Sequence, residues 1–147
     1  MSRKRDQPPP PGKGGSEAEV LRGFLDYLRA AVVAKVEDVP EPQVRAAAVP
    51  SGTNLLGLLR HLTFVERATF LGEKPRSWKA TFHAPADDDV SDVVASYREA
   101  VRRADDVLDG STVEDVRWRL VHMIEETGRH AGHADVIREL IDGSTGR

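Results

Sequence analysis

Glu126, His130 and His133 stand at spacings of four and three residues within one stretch, Ser111 to Gly143, whose apolar residues repeat at helical period. At about 100° per residue the three side chains fall within roughly 60° of one another. Met123, Ile137 and Leu140 share that direction, so a carboxylate and two imidazoles are expected to face the core. Burying such groups unpaired costs several kcal/mol, and either a metal ion or a hydrogen-bond network can compensate. A zinc-type centre that does chemistry takes three nitrogen or oxygen ligands and leaves one position open. Glu126 and His130 can grip one ion from adjacent turns. The third ligand must come from another helix, and His61 is the only histidine on another expected helix. This gives the set His61, Glu126, His130; an alternative set replaces Glu126 with His133. A lone histidine on an apolar face is more often a hydrogen-bonded core residue than a ligand, so His61 carries little weight by itself. A di-iron bundle would need two Glu-x-x-His motifs, and Arg129 stands where the histidine after Glu126 would have to be.

Four helices must position these groups. The first starts at Ser16, with Glu19 completing a capping box, and carries Val20, Phe24, Tyr27, Leu28, Ala31 and Val32 inward as far as Lys35 or Val36. Pro40, Pro42 and Pro50 hold the next segment out of extended helix, with one short turn expected within Gln43 to Ala48. Ser51 or Thr53 is expected to cap the second helix, whose stripe is Leu55, Leu58, Leu62 and Val65, with His61 inward beside it. Gly72 to Val90 is a long connection, the kind that is usually functional or mobile and that permits a crossover. Within it, Trp78 and Phe82 suit either a pocket mouth or ordinary anchoring, and His83 reads as a surface residue. Ser91 is expected to cap the third helix, with Val93, Val94, Tyr97, Val101, Ala104 and Leu108 inward. Ser111 with Glu114 is a capping box for the fourth, Gly143 stops it, and Val116, Leu120, Met123, Thr127, Ala134, Ile137 and Ile141 form its core face. The fold class is all-α, a four-helix bundle.

Composition narrows the function. The chain has 147 residues, 31% charged and 5% aromatic, with a net charge of −3 from 21 basic and 24 acidic residues. That size suits one domain, and no excess of positive charge draws it to nucleic acid. No apolar run approaches the roughly 20 residues of a membrane span, and no signal peptide is evident, which points to the cytoplasm. There is no cysteine, so disulfides, cysteine-bound metal and a cysteine nucleophile of the chain's own are excluded; a reacting thiol must come from another molecule. Residues 1–15, basic and proline-rich, are expected to be a disordered tail, 16–143 the bundle, and 144–147 a C-terminal tail.

The stretches PSGTNLLGLLRHLTFVER and VRWRLVHMIEETGRHAGHADVIRELIDG resemble the DinB-like superfamily, in its actinobacterial branch known only as a domain of unknown function. The resemblance runs from about Val20 to Gly143. It implies a bundle of up-down-down-up order. It also implies a divalent metal held by a histidine on the second helix and two ligands four apart on the last, here His61, Glu126 and His130. Zinc is the first choice of metal, with nickel, iron or manganese also suited. Most relatives carry histidine where this chain has Glu126. The mycothiol-dependent maleylpyruvate isomerases carry glutamate there, which draws the analogy toward them. His133 falls near a position where many relatives carry glutamine, and is expected to support a ligand or face substrate; Arg129 is placed in the same role. Arg60 and Arg129 are candidate anchors for an anionic substrate.

The chemistry implied is thiol transfer. A low-molecular-weight thiol at the open position would lose its proton, because the ion stabilises thiolate, and could then attack a small electrophile held under the 72–90 connection. The rival is a non-catalytic metal-binding or stress-response module; a third reading has the histidines merely bonded to Glu126 and backbone. Fold alone does not choose among them. Gly128 and Gly132 form a Gly-x-x-x-Gly that permits close packing, and relatives often pair, so a homodimer is expected.

Overall fold

The computed structural model describes residues 9–146; what the sequence suggests for residues 1–8 and for 147 lies outside the described residues. Among these the chain forms four helices and no strand: α1 (Glu17–Val36), α2 (Leu55–Leu71), α3 (Val90–Asp109) and α4 (Val113–Asp142). Single helical turns interrupt the connections at Gln43–Arg45 and Lys79–Phe82.

The helix ends follow side-chain chemistry, with three shifts from expectation. Ser16 and Glu19 form the expected capping box. Asn54, not Ser51 or Thr53, caps α2: its side chain accepts from the Gly57 N–H at 2.8 Å, while the two hydroxyls bond each other at 2.8 Å. Asp89, not Ser91, caps α3 and shares a capping box with Asp92. Thr112, not Ser111, caps α4, accepting from the Asp115 N–H. Ser111 instead donates to the Val107 carbonyl at 2.7 Å, closing the end of α3. In each case neighbouring residues could all cap, and the turn geometry before the helix selects one of them. Gly72 and Gly143 end α2 and α4 in the left-handed conformation, at φ 69° and 74°.

Side-chain pairs fix the relative directions. Glu17 bonds Arg117, Leu28 packs on Gly128, and Lys35 meets Asp135 at 3.0 Å, each pair at the same separation of 100 residues. α1 and α4 therefore lie side by side and run the same way. Arg22 to Asp109, Arg29 to Asp105 and Glu37 to Arg98 make α3 antiparallel to α1. Glu73, just past α2, grips Arg103 at 2.6 Å, which sets the end of α2 beside the later turns of α3, as parallel neighbours require. The order is up-down-down-up, with the 72–90 connection as the crossover.

One core runs through the bundle, including Leu25, Val32, Leu55, Leu59, Leu62, Tyr97, Leu120 and Met123. Leu140 departs from expectation and is 66% exposed. The 30 residues of α4 span about 45 Å against about 25 Å for the 17 of α2, so the face that meets α2 loses its cover toward the far end. Arg138 is buried there, and its guanidinium donates to the Lys35 and Glu37 carbonyls at 3.0 Å, satisfying orphan groups at the end of α1. Gly128 is occupied by α1, since a Cβ there would lie 3.5 Å from Leu28. Close packing at that glycine is thus within the chain.

Candidate metal centre

α2 and α4 cross where His61 faces Glu126 and His130. One ligand atom from each lies within 4.8 Å of the other two. His61 Nε2 stands 4.0 Å from Glu126 Oε2, and His130 Nε2 stands 3.5 Å from the same oxygen. The rings of His61 and His130 meet edge to face, 4.9 Å between centroids. Both histidines are buried, while the Glu126 side chain is 23% exposed, so the cluster opens to solvent on the carboxylate side.

The His61 proton is placed to leave a lone pair at the centre. His61 Nδ1 lies 2.8 Å from Thr81 Oγ1, and that hydroxyl donates to the Trp78 carbonyl at 2.5 Å. With its own proton committed, the hydroxyl accepts from His61 Nδ1–H, and His61 Nε2 is left as an acceptor. His130 Nδ1 faces His133 Nδ1 at 3.3 Å, and either nitrogen of that pair can be the donor. Burial pushes the His61 pKa down to about 4, and neighbouring His130 pushes the same way. Burial also lowers His130, with Glu126 opposing. Both rings are therefore neutral at pH 7.

Two neutral imidazoles and a carboxylate each bring one ligand atom to a common point. Separations of 3.5 and 4.0 Å exceed the 2.7–2.9 Å of charge-assisted hydrogen bonds. Around a tetrahedral ion the ligand atoms sit about 3.3 Å apart. The donor set therefore fits a divalent ion better than it fits a self-contained hydrogen-bond network.

The crossover supplies the wall. Phe82 stacks on the His61 ring at 3.9 Å and 12°, and Trp78 meets its edge at 5.9 Å while remaining 44% exposed. Arg60 donates to the Ala80 carbonyl at 2.7 Å and so holds the crossover, while Arg129 reaches outward to Glu125 at 3.0 Å. His133 does not face the core as expected but is exposed at the rim, past the edge of the covered face, and His83 is exposed on the crossover as expected. Two concavities along α1 and α3, of about 900 and 300 Å³, are lined by none of the three clustered residues. Thr81 and Gly57 belong to the site although sequence reasoning passed over both. A glycine inside a leucine-rich helix, costing about 1 kcal/mol relative to alanine, was the available signal for Gly57; a threonine in a connection gives none.

The depressed His61 pKa is expected to make the metal-free protein less stable in acid. The unfolded ring takes up its proton near pH 6.5 and the folded ring only near 4, so the unfolded state binds more protons in between. Stability present above pH 6.5 is expected to fall as pH drops through that window, by on the order of 3 kcal/mol at the limit. Urea midpoints of metal-free protein between pH 7 and about 4 measure this, and His61→Gln should flatten the slope.

No curated protein matches the chain. The family profile described as mycothiol S-transferase matches it over residues 20–143. That span holds all four helices but the first turn of α1, together with every residue of the centre. With this match over most of its length, the chain belongs to the mycothiol S-transferase family, a DinB-like family.

Proposed function

We propose that this protein is a divalent-metal-dependent transferase that joins a low-molecular-weight thiol of the mycothiol kind to a small electrophile in the cytoplasm. His61, Glu126 and His130 would hold the ion, with zinc the best match to the donor set. The observation that carries the proposal is the meeting of three ligand atoms, within 4.8 Å of one another, on a site open along the Glu126 side. A bound ion would favour thiolate over thiol at the position its three protein ligands leave free.

The chain's own residues do the rest. Glu126 brings the carboxylate of the cluster, and the His61 ring keeps its Nε2 lone pair inward. Phe82 and Trp78 close one side of the site with aromatic surface, which excludes water from the reacting sulfur. In the transfer the thiol S–H bond breaks, its proton leaving to solvent or to a rim base such as His133, and a sulfur–carbon bond forms. The electron pair displaced at that carbon departs with a leaving group or, in an addition, moves to the adjacent atom and takes up a proton. Because the chain has no cysteine, no competing thiol is present. A homodimer, by analogy with relatives, is compatible with the exposed outer face of α4, which carries Val121, Val136 and Leu140.

Protein purified without chelator should carry about one divalent ion per chain by metal analysis. Turnover should then require both the ion and an added thiol across a panel of electrophiles. Absence of stoichiometric metal would remove the centre; metal without thiol-dependent turnover would reduce the protein to a binding module. Trp78 offers a direct reporter. In Trp118→Phe protein it is the sole tryptophan, and its emission should change on titration with zinc or mycothiol; an unchanged spectrum at saturation would place the ligands elsewhere.

A further inference from the structure

Gly57 sits in the first turn of α2, four residues before His61, where an ordinary helix would carry a side chain. A Cβ built there would lie 1.9 Å from the Phe82 carbonyl oxygen and 2.9 Å from its carbon. No shift of a flexible side chain can relieve such an overlap, because both atoms are backbone. The crossover therefore reaches α2 only because position 57 is glycine. Once seated, it is held by Arg60 on the Ala80 carbonyl, by Phe82 stacked on His61, and by the hydroxyl of Thr81 on His61 Nδ1. Thr81 is 2% exposed, so water does not compete for that bond.

We propose that Thr81 is the positioning residue of the centre: its hydroxyl keeps the His61 proton on Nδ1 and the Nε2 lone pair aimed at Glu126 and His130, and Gly57 is the seat that brings Thr81 there. A ligating histidine needs its other nitrogen fixed by an outer hydrogen bond, which sets tautomer and ring orientation together. Here the bond comes neither from a carboxylate nor from a backbone carbonyl directly. The Trp78 carbonyl orients the Thr81 hydroxyl, and the hydroxyl orients the ring. In water the free imidazole prefers its proton on the other nitrogen, so the protein selects the less favoured tautomer for a purpose. The crossover is thereby part of the centre's construction and not only its cover. This inference rests on the proposed metal site for its purpose, but the tautomer exists without any ion.

The test therefore begins with metal-free protein. Nitrogen–proton correlation spectra of the ¹⁵N-labelled imidazoles at neutral pH should show His61 protonated at Nδ1 in the wild type and in Thr81→Ser. In Thr81→Val, the ring should shift toward the Nε2–H form or to a mixture. Zinc affinity, measured against a chromophoric chelator, should weaken about 10–100-fold in Thr81→Val and stay within a few-fold of wild type in Thr81→Ser. Gly57→Ala should reproduce the Thr81→Val spectrum, with its helical circular dichroism intact. A wild-type His61 protonated at Nε2, or a Thr81→Val protein with the wild-type tautomer and affinity, overturns the role of Thr81. An unchanged spectrum in Gly57→Ala overturns the seat. If the wild type takes up no zinc at all, the function proposed above fails, while the spectra still decide the positioning claim.

Discussion

His61→Ala protein should keep its helical spectrum and lose divalent metal, with affinity falling by more than about 100-fold. The bound is set by comparison: removing an outer hydrogen-bond partner of a ligand already costs about 10–100-fold, and here a ligand itself goes. His61 is the sole contribution of α2 to the cluster, so Glu126 and His130 are left as a two-atom grip from one face of α4. Thiol-dependent turnover should drop to background in the same protein. Glu126→Gln serves as the complement, because it keeps shape and removes charge; it should weaken metal binding without disturbing Phe82 or Thr81. The competition assay that measures wild-type affinity measures both. A folded His61→Ala protein that still takes up one ion per chain with unchanged affinity would show that the ion binds elsewhere, and the thiol-transfer proposal would lose its centre.

Arg29→Ala should be the most destabilising single change in the bundle, costing about 3–5 kcal/mol. Arg29 is 4% exposed and Glu66 is fully buried. The guanidinium meets the carboxylate two-handed, Nε to Oε1 at 2.7 Å and Nη2 to Oε2 at 2.8 Å. Its remaining nitrogen, Nη1, donates to Asp105 at 2.9 Å and Asp26 at 3.1 Å. One side chain of α1 thus ties α2 and α3 together. Burial pushes the Glu66 carboxyl up, and Arg29 opposes that shift. Without Arg29 the carboxylate has no compensating cation and must either stay charged in the core or take a proton. Against a typical domain stability of 5–15 kcal/mol, the loss approaches the whole in the worst case. Urea unfolding at pH 7 gives the number. The double change Arg29→Met with Glu66→Met should recover most of it, since apolar replacement of a buried pair is often neutral or better. A single Arg29→Ala cost below about 1 kcal/mol would mean that water reaches the pair.

The clustered ligand atoms and the buried ion pair differ in how much of each the sequence carries. The helical cluster was legible because spacing alone decides which side chains share a helix face: Glu126 and His130 differ by about 40° at 100° per residue. The all-α bundle followed from four apolar stripes of helical period, separated by prolines, glycines and capping residues. Arg29 and Glu66 were not legible. A charged residue in an amphipathic pattern reads as outward, and its burial depends on an opposite charge from a helix 37 residues away. The same limit hid Thr81, whose partner is a ring 20 residues earlier. It also misled the reading of Leu140, which stands within about 60° of the buried Ile137 around the helix but lies where the neighbouring helix does not reach.

Local chemistry by itself determined where helices form, which face of each is apolar, and that any reacting thiol must be brought in, because periodicity, capping and the lack of cysteine are properties of neighbouring residues or of composition. Tertiary structure alone decided which of several adjacent cappers is used and which charged groups enter the core. It also decided which nitrogen of His61 keeps its proton, and that a glycine in α2 admits the crossover. Each of these depends on atoms distant in the chain and on the desolvation that comes only when helices close on one another.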